Sequence, residues 1–364
     1  MSMRILFVST PVGPIGSGAG GGVETNLQQL TPILAGRGHR VGVVAPVGSV
    51  IDDSRVVVHG VTGRPPRYAT TADRRSVAPF DPDGMVERMW ATVAEVQADY
   101  DVVIGLTYDR WSYEVTGLLT TPTGHVVSLS SQVAETDAAL GRLLGDRPGS
   151  VAFCSRAQAR TFGVERVHDD AVLFGGVDTD AHRPVLGRAG ARLAWVGRIS
   201  AEKNLADAAR VAAAVGLPLE VFGRLQEPSE LERALDAAPG VRLDYRGFRP
   251  QAEVIARVAT CQAMLMTHTW VEAFGNTAIE ALAGGTPVVA YSVGGPTEVV
   301  EHGRSGFLVP PGDVEAMVAA VRAVPSLERA EARRRGEAFS LERFADRYER
   351  FAARIVAGAL ATAH

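Results

Sequence analysis

The sequence predicts an α/β chain built from two doubly wound parallel sheets. Three observations carry this. Short apolar runs alternate with helix-length amphipathic segments, and the whole alternation occurs twice along the chain. The runs are continuously apolar, as in strands covered on both faces. A length of 364 residues, 46% hydrophobic and 21% charged, suits two globular cores at roughly 150 residues per domain.

The expected strands of the first half are Arg4–Ser9, Val41–Ala45, Val56–Gly60, Val102–Leu106, Val126–Leu129, Val151–Cys154 and Ala171–Phe174. Between them, Val23–Arg37 reads as a helix because Leu27, Leu30, Ile33 and Leu34 share a face and Gly38 stops it. Gly84–Ala98 is a second helix, and Arg64–Gly84 has no period and reads as a loop. The second half has strands at Leu193–Gly197, Leu219–Phe222, Val241–Tyr245, Ala263–Thr267, Pro287–Ala290 and Gly306–Val309. Helices fit at Asn204–Val215, Ser229–Ala237, Gln251–Ala259, Asn276–Ala283, Gly295–His302 and Asp313–Val324. The stretch Gly175–Arg192 reads as the junction. Ser340–Ala363 closes the chain as an amphipathic helix with Ser340 as N-cap.

Composition removes several classes. The net charge of −4 argues against a nucleic-acid partner. Two cysteines, Cys154 and Cys261, are too few for a disulfide framework or a four-ligand zinc site and read as buried thiols of a reducing compartment. No apolar run approaches the ~18 residues of a membrane span, and Ile5 to Val8 is too short for a secretory leader. A cytoplasmic chain without stable membrane insertion is expected. Arg64, Arg67, Arg74 and Arg75 suit anionic headgroups, but the net negative charge speaks against that role.

Of the 37 basic residues, 36 are arginine and one is lysine, Lys203. In so arginine-biased a chain, a surviving lysine marks a place where a planar guanidinium does not serve. Lys203 closes Gly197-Arg198-Ile199-Ser200-Ala201-Glu202-Lys203, directly after an expected strand. Ligands of open parallel sheets bind at the C-terminal ends of strands. Two cations and a helix start at such an edge suit a diphosphate.

A second constellation follows the strand Ala263–Thr267: Glu272-Ala273-Phe274-Gly275-Asn276-Thr277-Ala278-Ile279-Glu280. Eight residues of helix rise about 12 Å. The two carboxylates therefore share neither a proton nor a metal, but suit the two ends of a nucleotide sugar. A carboxylate accepts from vicinal hydroxyls, and the free N–H groups of Gly275, Asn276 and Thr277 at a helix start suit phosphate. Near the N-terminus, Gly16-Ser17-Gly18-Ala19-Gly20-Gly21 matches a dinucleotide pattern formally. It stands too far past Thr10, and the second strand ends in Ala45-Pro46 with no carboxylate, so a nicotinamide cofactor is not expected. The loop suits an anion instead. Asp81-Pro82-Asp83 lies in the irregular loop and Asp178-Thr179-Asp180 in the junction, so neither is expected to hold a metal.

From Glu272 through Gly294-Gly295 to Gly306-Phe307-Leu308-Val309 the chain resembles the glycosyltransferases of family 4, retaining enzymes of GT-B fold. Gly197-Arg198 with Lys203, Gly21-Gly22-Val23-Glu24 and Gly176-Val177-Asp178 look like further signatures of that family. The resemblance implies two Rossmann-like domains facing across a cleft. One, over 1–180, binds the acceptor and is completed by a C-terminal helix at about 345–364; the other, over 181–344, binds the nucleotide sugar. Arg198 and Lys203 would neutralise the diphosphate, Glu272 bond the donor sugar, Glu280 the ribose, and the backbone near Arg246-Gly247-Phe248 meet the base. Phe274, Gly275, Asn276 and Thr277 would frame the phosphates, and Gly21 and Gly22 approach phosphate or acceptor. Glu24, Tyr108, Asp109 and Ser130 fall on the acceptor side. Many family members carry a His after the strand that here reads Val126–Leu129; this chain has Ser130-Ser131, and His125 is expected to precede the strand.

The expected activity is metal-independent, retaining hexosyl transfer from a nucleotide-diphosphate sugar to a small soluble acceptor, with the base left open among UDP, GDP, dTDP and ADP. No cofactor is implied beyond that donor. The alternatives are an epimerase or phosphorylase of GT-B type, and a sugar-nucleotide-binding protein without turnover.

Overall fold

Ile5, Leu6, Phe7 and Val8 have no solvent exposure. That is what a continuously apolar run dictates: a strand buried on both faces. In the computed structural model, which describes residues 2–17, 21–65, 73–181, 183–187 and 189–362, this run is β1 (Arg4–Val8) at the centre of a parallel sheet. The chain forms two compact units, Met1–Gly175 with Leu341–His364, and Gly176–Ser340. The sequence placed the junctions at 180/181 and 344/345.

The first unit's sheet also contains β2 (Arg40–Pro46), β3 (Val56–Val61), β4 (Val102–Gly105), β5 (Thr123–Val127) and β6 (Val151–Phe153). The order is β3-β2-β1-β4-β5-β6, all parallel. Ile5 and Phe7 point to one face, where Leu27, Leu30 and Leu34 of α1 (Gly22–Gly36) cluster with Phe344, Tyr348 and Phe351 of the closing helix, Leu341–Thr362. Leu6 and Val8 point to the other, against Met89, Trp90 and Val93 of α2 (Met85–Val96). Three shorter helices follow: α3 (Arg110–Val115), α4 (Ala134–Asp146) and α5 (Arg156–Arg160).

The second unit repeats the scheme with β7 (Gly190–Val196), β8 (Leu219–Phe222), β9 (Leu243–Gly247), β10 (Cys261–Met266), β11 (Val288–Tyr291) and β12 (Gly306–Val309). Their order is β12-β11-β10-β7-β8-β9, again parallel. Its helices are α6 (Leu205–Val215), α7 (Pro228–Ala237), α8 (Gln251–Ala259), α9 (Asn276–Ala283), α10 (Pro296–Val299), α11 (Val314–Ala323) and α12 (Arg329–Glu337); the closing helix is α13. In each sheet the winding reverses beside its first strand. In the second unit that switch point lies between β7 and β10, where open α/β sheets bind ligands.

Three expectations are corrected. Ala171–Phe174 is not a strand of the sheet: it follows a 3-10 turn and makes one isolated bridge, Val172 to Phe153. Gly295–His302 shortens to α10, because Val300 turns to extended backbone. The strand expected at Val126–Leu129 runs Thr123–Val127, so His125 lies inside β5 instead of before it. There it is fully buried between Trp90 and Tyr113, with Nε2 against the Thr116 hydroxyl at 2.7 Å. Burial pushes its pKa down to about 3, so it is neutral. The strand stops at Val127 because the Gln158 amide donates to the carbonyls of both Val127 (2.7 Å) and Leu129 (2.8 Å) in place of a neighbouring strand.

Candidate functional site

The two switch-point strands of the second unit deliver the predicted residues. β7 runs into Arg198, whose guanidinium donates to Gln226 (2.6 Å) and Glu202 (2.9 Å). A 3-10 turn, Ala201–Lys203, follows. Asn204 ends it in the left-handed region at φ 51°, alone in that among the described non-glycine residues. The Asn204 amide donates to Asp207 (2.7 Å), and its carbonyl accepts from the Thr267 hydroxyl of the β10 end at 2.8 Å. That hydroxyl in turn accepts from the Trp195 indole at 3.1 Å. The clamp aims Lys203 at the loop after β10.

There the Lys203 ammonium pairs with Glu272 Oε2. The Trp270 indole N–H donates to the same oxygen at 3.2 Å, and the ammonium lies 4.9 Å from the Trp270 ring centroid. Oε1 accepts no hydrogen bond from the described residues, and the side chain is 17% exposed. Burial alone would raise this carboxyl. The charges of Lys203 and His268 and the two hydrogen bonds outweigh it and hold the pKa at about 2. His268 itself is buried, in hydrogen-bond contact with the Val293 carbonyl at 3.0 Å.

Two glycines let the backbone close here. Gly275 opens α9 at φ 101°, and Gly294 stands at φ 71° with its Cα against the Glu272 backbone, where a Cβ would overlap it. Gly295 N–H donates to the Glu272 carbonyl at 2.8 Å. Asn276 and Thr277 form the first turn of α9. Phe274 is buried against Phe339, in contact with the protein core and not with open space.

Glu280 stands apart from Glu272. Since α9 begins only at Asn276, helix supplies half of the intervening eight residues, and the 12 Å expected from continuous helix does not apply. Their neighbourhoods differ all the same. Glu280 meets the Gln251 amide at 2.7 Å and shares a small cavity with Val196, Val254, Val258 and Thr277. Burial in these aliphatic walls pushes its carboxyl up to about 7, opposed only by Gln251. At the sheet edge, Gly247 ends β9 at φ 72° and Phe248 stands exposed beyond it. A larger groove of about 550 Å³, lined by Glu202, Asn204, Asp207, Arg210 and Arg233, adjoins the 3-10 turn but has none of Lys203, Glu272 or Glu280 in its walls.

In the first unit, Gly18 and Gly20 lie outside the described residues. Gly21 caps α1, and Gly22 is its first residue. Glu24 reaches back to the Gly21 N–H (2.7 Å) and accepts from the Thr10 hydroxyl, so both its oxygens serve the loop's own fold. Tyr108 is similarly committed: its hydroxyl accepts from the Gln132 and Val133 N–H groups at 3.0 Å each and donates to Asp137 at 2.6 Å. Asp109 caps α3 through the Trp111 N–H (2.8 Å), and burial with Glu87 nearby pushes its carboxyl up to about 6. Ser130, expected on the acceptor side, is 2% exposed, and its hydroxyl has no hydrogen-bond partner among the described residues. Asp81 and Asp178 accept backbone N–H groups of their own turns. Sequence reasoning missed Trp270, Gln251 and His268. A tryptophan two residues before Glu272, one of four in the chain, was the available signal.

Residues 181–339 match the profile of the family described as Glycosyl transferases group 1. A 2-deoxystreptamine N-acetyl-D-glucosaminyltransferase of Streptomyces fradiae is 33% identical over 56% of this chain, and the chain covers 48% of that protein's length. A D-inositol 3-phosphate glycosyltransferase of Geodermatophilus obscurus is 29% identical over 94% of this chain and 87% of its own. Among solved structures, AviGT4, a glycosyltransferase involved in avilamycin A biosynthesis, superposes with a TM-score of 0.70 at 20% identity over 98% of both chains. Anabaena HepE in complex with UDP and glucose gives 0.73 at 19%, over 95% of this chain and 98% of its own. The fold is that of GT-B glycosyltransferases, and the unit that carries Arg198, Lys203, Glu272 and Glu280 is the part of the chain that matches the Glycosyl transferases group 1 family.

Proposed function

We propose that the chain is a retaining, metal-independent glycosyltransferase moving a hexose from a nucleotide-diphosphate sugar to a hydroxyl of a small soluble acceptor. The observation that carries this is the Lys203–Glu272 ion pair at the C-terminal ends of the switch-point strands β7 and β10, with Arg198 on the same loop after β7, paired to Glu202. Leaving-group departure breaks the bond between the anomeric carbon and the β-phosphate oxygen. Negative charge grows on the diphosphate, and Arg198, Lys203 and the first turn of α9 oppose it. Glu272 offers Oε1 to the sugar's hydroxyls, and Glu280 accepts from the ribose. The acceptor oxygen attacks from the same face, and its proton passes to the departing phosphate oxygen. Unit 1 holds the acceptor in this reading, and the names of the two relatives, 2-deoxystreptamine N-acetyl-D-glucosaminyltransferase and D-inositol 3-phosphate glycosyltransferase, support a small-molecule acceptor.

Thermal-shift screening against UDP, GDP, dTDP and ADP tests the donor half. The correct nucleotide stabilises with the logarithm of its excess. Donor hydrolysis and transfer assays on that nucleotide's sugars then test turnover. Activity is expected to survive excess EDTA; abolition with rescue by Mn²⁺ overturns metal independence.

A further inference from the structure

Without donor, the two charges that the reaction needs apart are bound to each other. Lys203 must turn to the diphosphate and Glu272 to the sugar, yet the ammonium sits on Glu272 Oε2. Breaking such a pair strands a half-buried carboxylate unless something else holds it. Trp270 touches both members at once. Its N–H donates to Oε2 at 3.2 Å, and its ring lies under the ammonium at 4.9 Å, within cation–π range. It comes from the same short loop as Glu272, between the clamped Thr267 and the backbone that Gly294 presses.

We propose that Trp270 is a positioning residue that keeps Glu272 and Lys203 in place while they exchange each other for the donor. Its N–H retains the carboxylate when the ammonium leaves, and its ring face retains the ammonium within reach of the diphosphate. The indole does both from one rigid plane, which no aliphatic side chain can do. This rests on the donor reading of the site.

The test uses Trp270→Phe and Trp270→Leu in the full chain, with UDP and UDP-glucose as probes. Trp270→Phe keeps a ring and loses the N–H. It is expected to bind UDP-glucose about tenfold more weakly, the size of one charge-assisted hydrogen bond, while UDP alone changes little. Trp270→Leu loses the ring as well and is expected to weaken UDP itself by roughly threefold. Equal losses for UDP and UDP-glucose in both variants, or no loss in either, overturn the proposal in favour of packing. A second readout needs no ligand. The Trp270 indole N–H signal, identified by its disappearance in Trp270→Phe, should shift in Glu272→Gln and in Lys203→Met while the other indole signals stay in place. An indole signal indifferent to both substitutions overturns the proposal. Should the unaltered protein bind no nucleotide sugar, the donor reading fails and the indole signal alone decides the role of Trp270.

Discussion

Two carboxylates of one segment are pulled in opposite directions, and the difference is testable by pH. Glu280 has one hydrogen bond, from Gln251, and burial pushes it up to about 7. Two ribose hydroxyls donating to it would favour its ionised form. Nucleoside diphosphate affinity is therefore expected to climb as pH rises from 6 to 8, and Glu280→Gln to flatten the climb, measured by calorimetry. Its stability effect has the reverse sign. A folded-state value above the unfolded one means that the folded chain holds an extra proton, so stability falls as pH rises from the ordinary glutamate range to about 7. Glu280→Gln should raise the Tm at pH 8 and leave it unchanged at pH 4; equal shifts at both would contradict the environment described. Glu272, held at about 2, contributes stability above the ordinary range that is lost as pH falls through 2. Lys203→Ala strips its partner and should lower both Tm and turnover. Lys203→Arg keeps the charge but replaces a compact ammonium with a broad plane over Trp270, and kcat/KM should fall about tenfold or more. Lys203 was legible because composition alone singled it out. Trp270 was passed over because its place two residues before Glu272 acquires meaning only once the loop folds the indole onto that carboxylate.

At the scale of elements, the strands were legible and several helices were not, for physical reasons. A strand buried on both faces must be apolar throughout, as Val288–Tyr291 is, and runs this short, bounded by turn residues, are strand-length and not helix-length. The helix α12 reads RAEARRRGE, with no apolar stripe at all. It is held instead by buried Arg329, which donates to the carbonyls of Val185, Cys261 and Ala259 and to the Thr286 hydroxyl, contacts made only after folding. The shifted register of β5 has a related cause: Thr123, Gly124 and His125 are polar or small, and only their tertiary partners make them strand. The glycine pair before α10 was legible as part of a family pattern, and the structure supplies its reason. A Cβ on Gly294 would overlap the Glu272 backbone, at a φ that a side chain resists. Gly294→Ala should therefore push the Glu272 loop off Lys203. The expected outcome is a large loss of turnover and of nucleotide-sugar affinity with UDP affinity much less affected. Full activity in Gly294→Ala would mean that the loop is free to move without cost to the site.

At the scale of the whole molecule, the same strand order was used twice, but only one unit is a continuous stretch of chain. Gly176–Ser340 supplies all of its own sheet and helices. The first unit borrows α13 from the far end of the sequence. Leu341, Phe344, Ala345, Tyr348, Phe351, Ala352 and Ile355 are members of the same buried cluster as Ile5, Phe7, Leu27 and Leu30. Arg37 adds ion pairs to Asp346 at 2.8 Å and Glu349 at 2.9 Å, and His39 Nε2 is in hydrogen-bond contact with Glu349 at 2.9 Å. Burying a large apolar side chain is worth roughly 1.5–3 kcal/mol, and several are lost together if the helix is removed. For the five large ones that is about 7–15 kcal/mol, as large as the ~5–15 kcal/mol by which a domain is ordinarily stable. A chain ending at Ser340 should therefore fail to fold its first unit while its second stays folded. Calorimetry of that truncated chain should show one cooperative transition, and UDP, if it is the nucleotide, should raise the temperature of that transition as it does for the matching one in the full chain. Transfer to any acceptor should be lost. A truncated chain that keeps both transitions would show that α13 is dispensable to the first core; one that keeps the first but not the second would reverse the assignment of which unit stands alone.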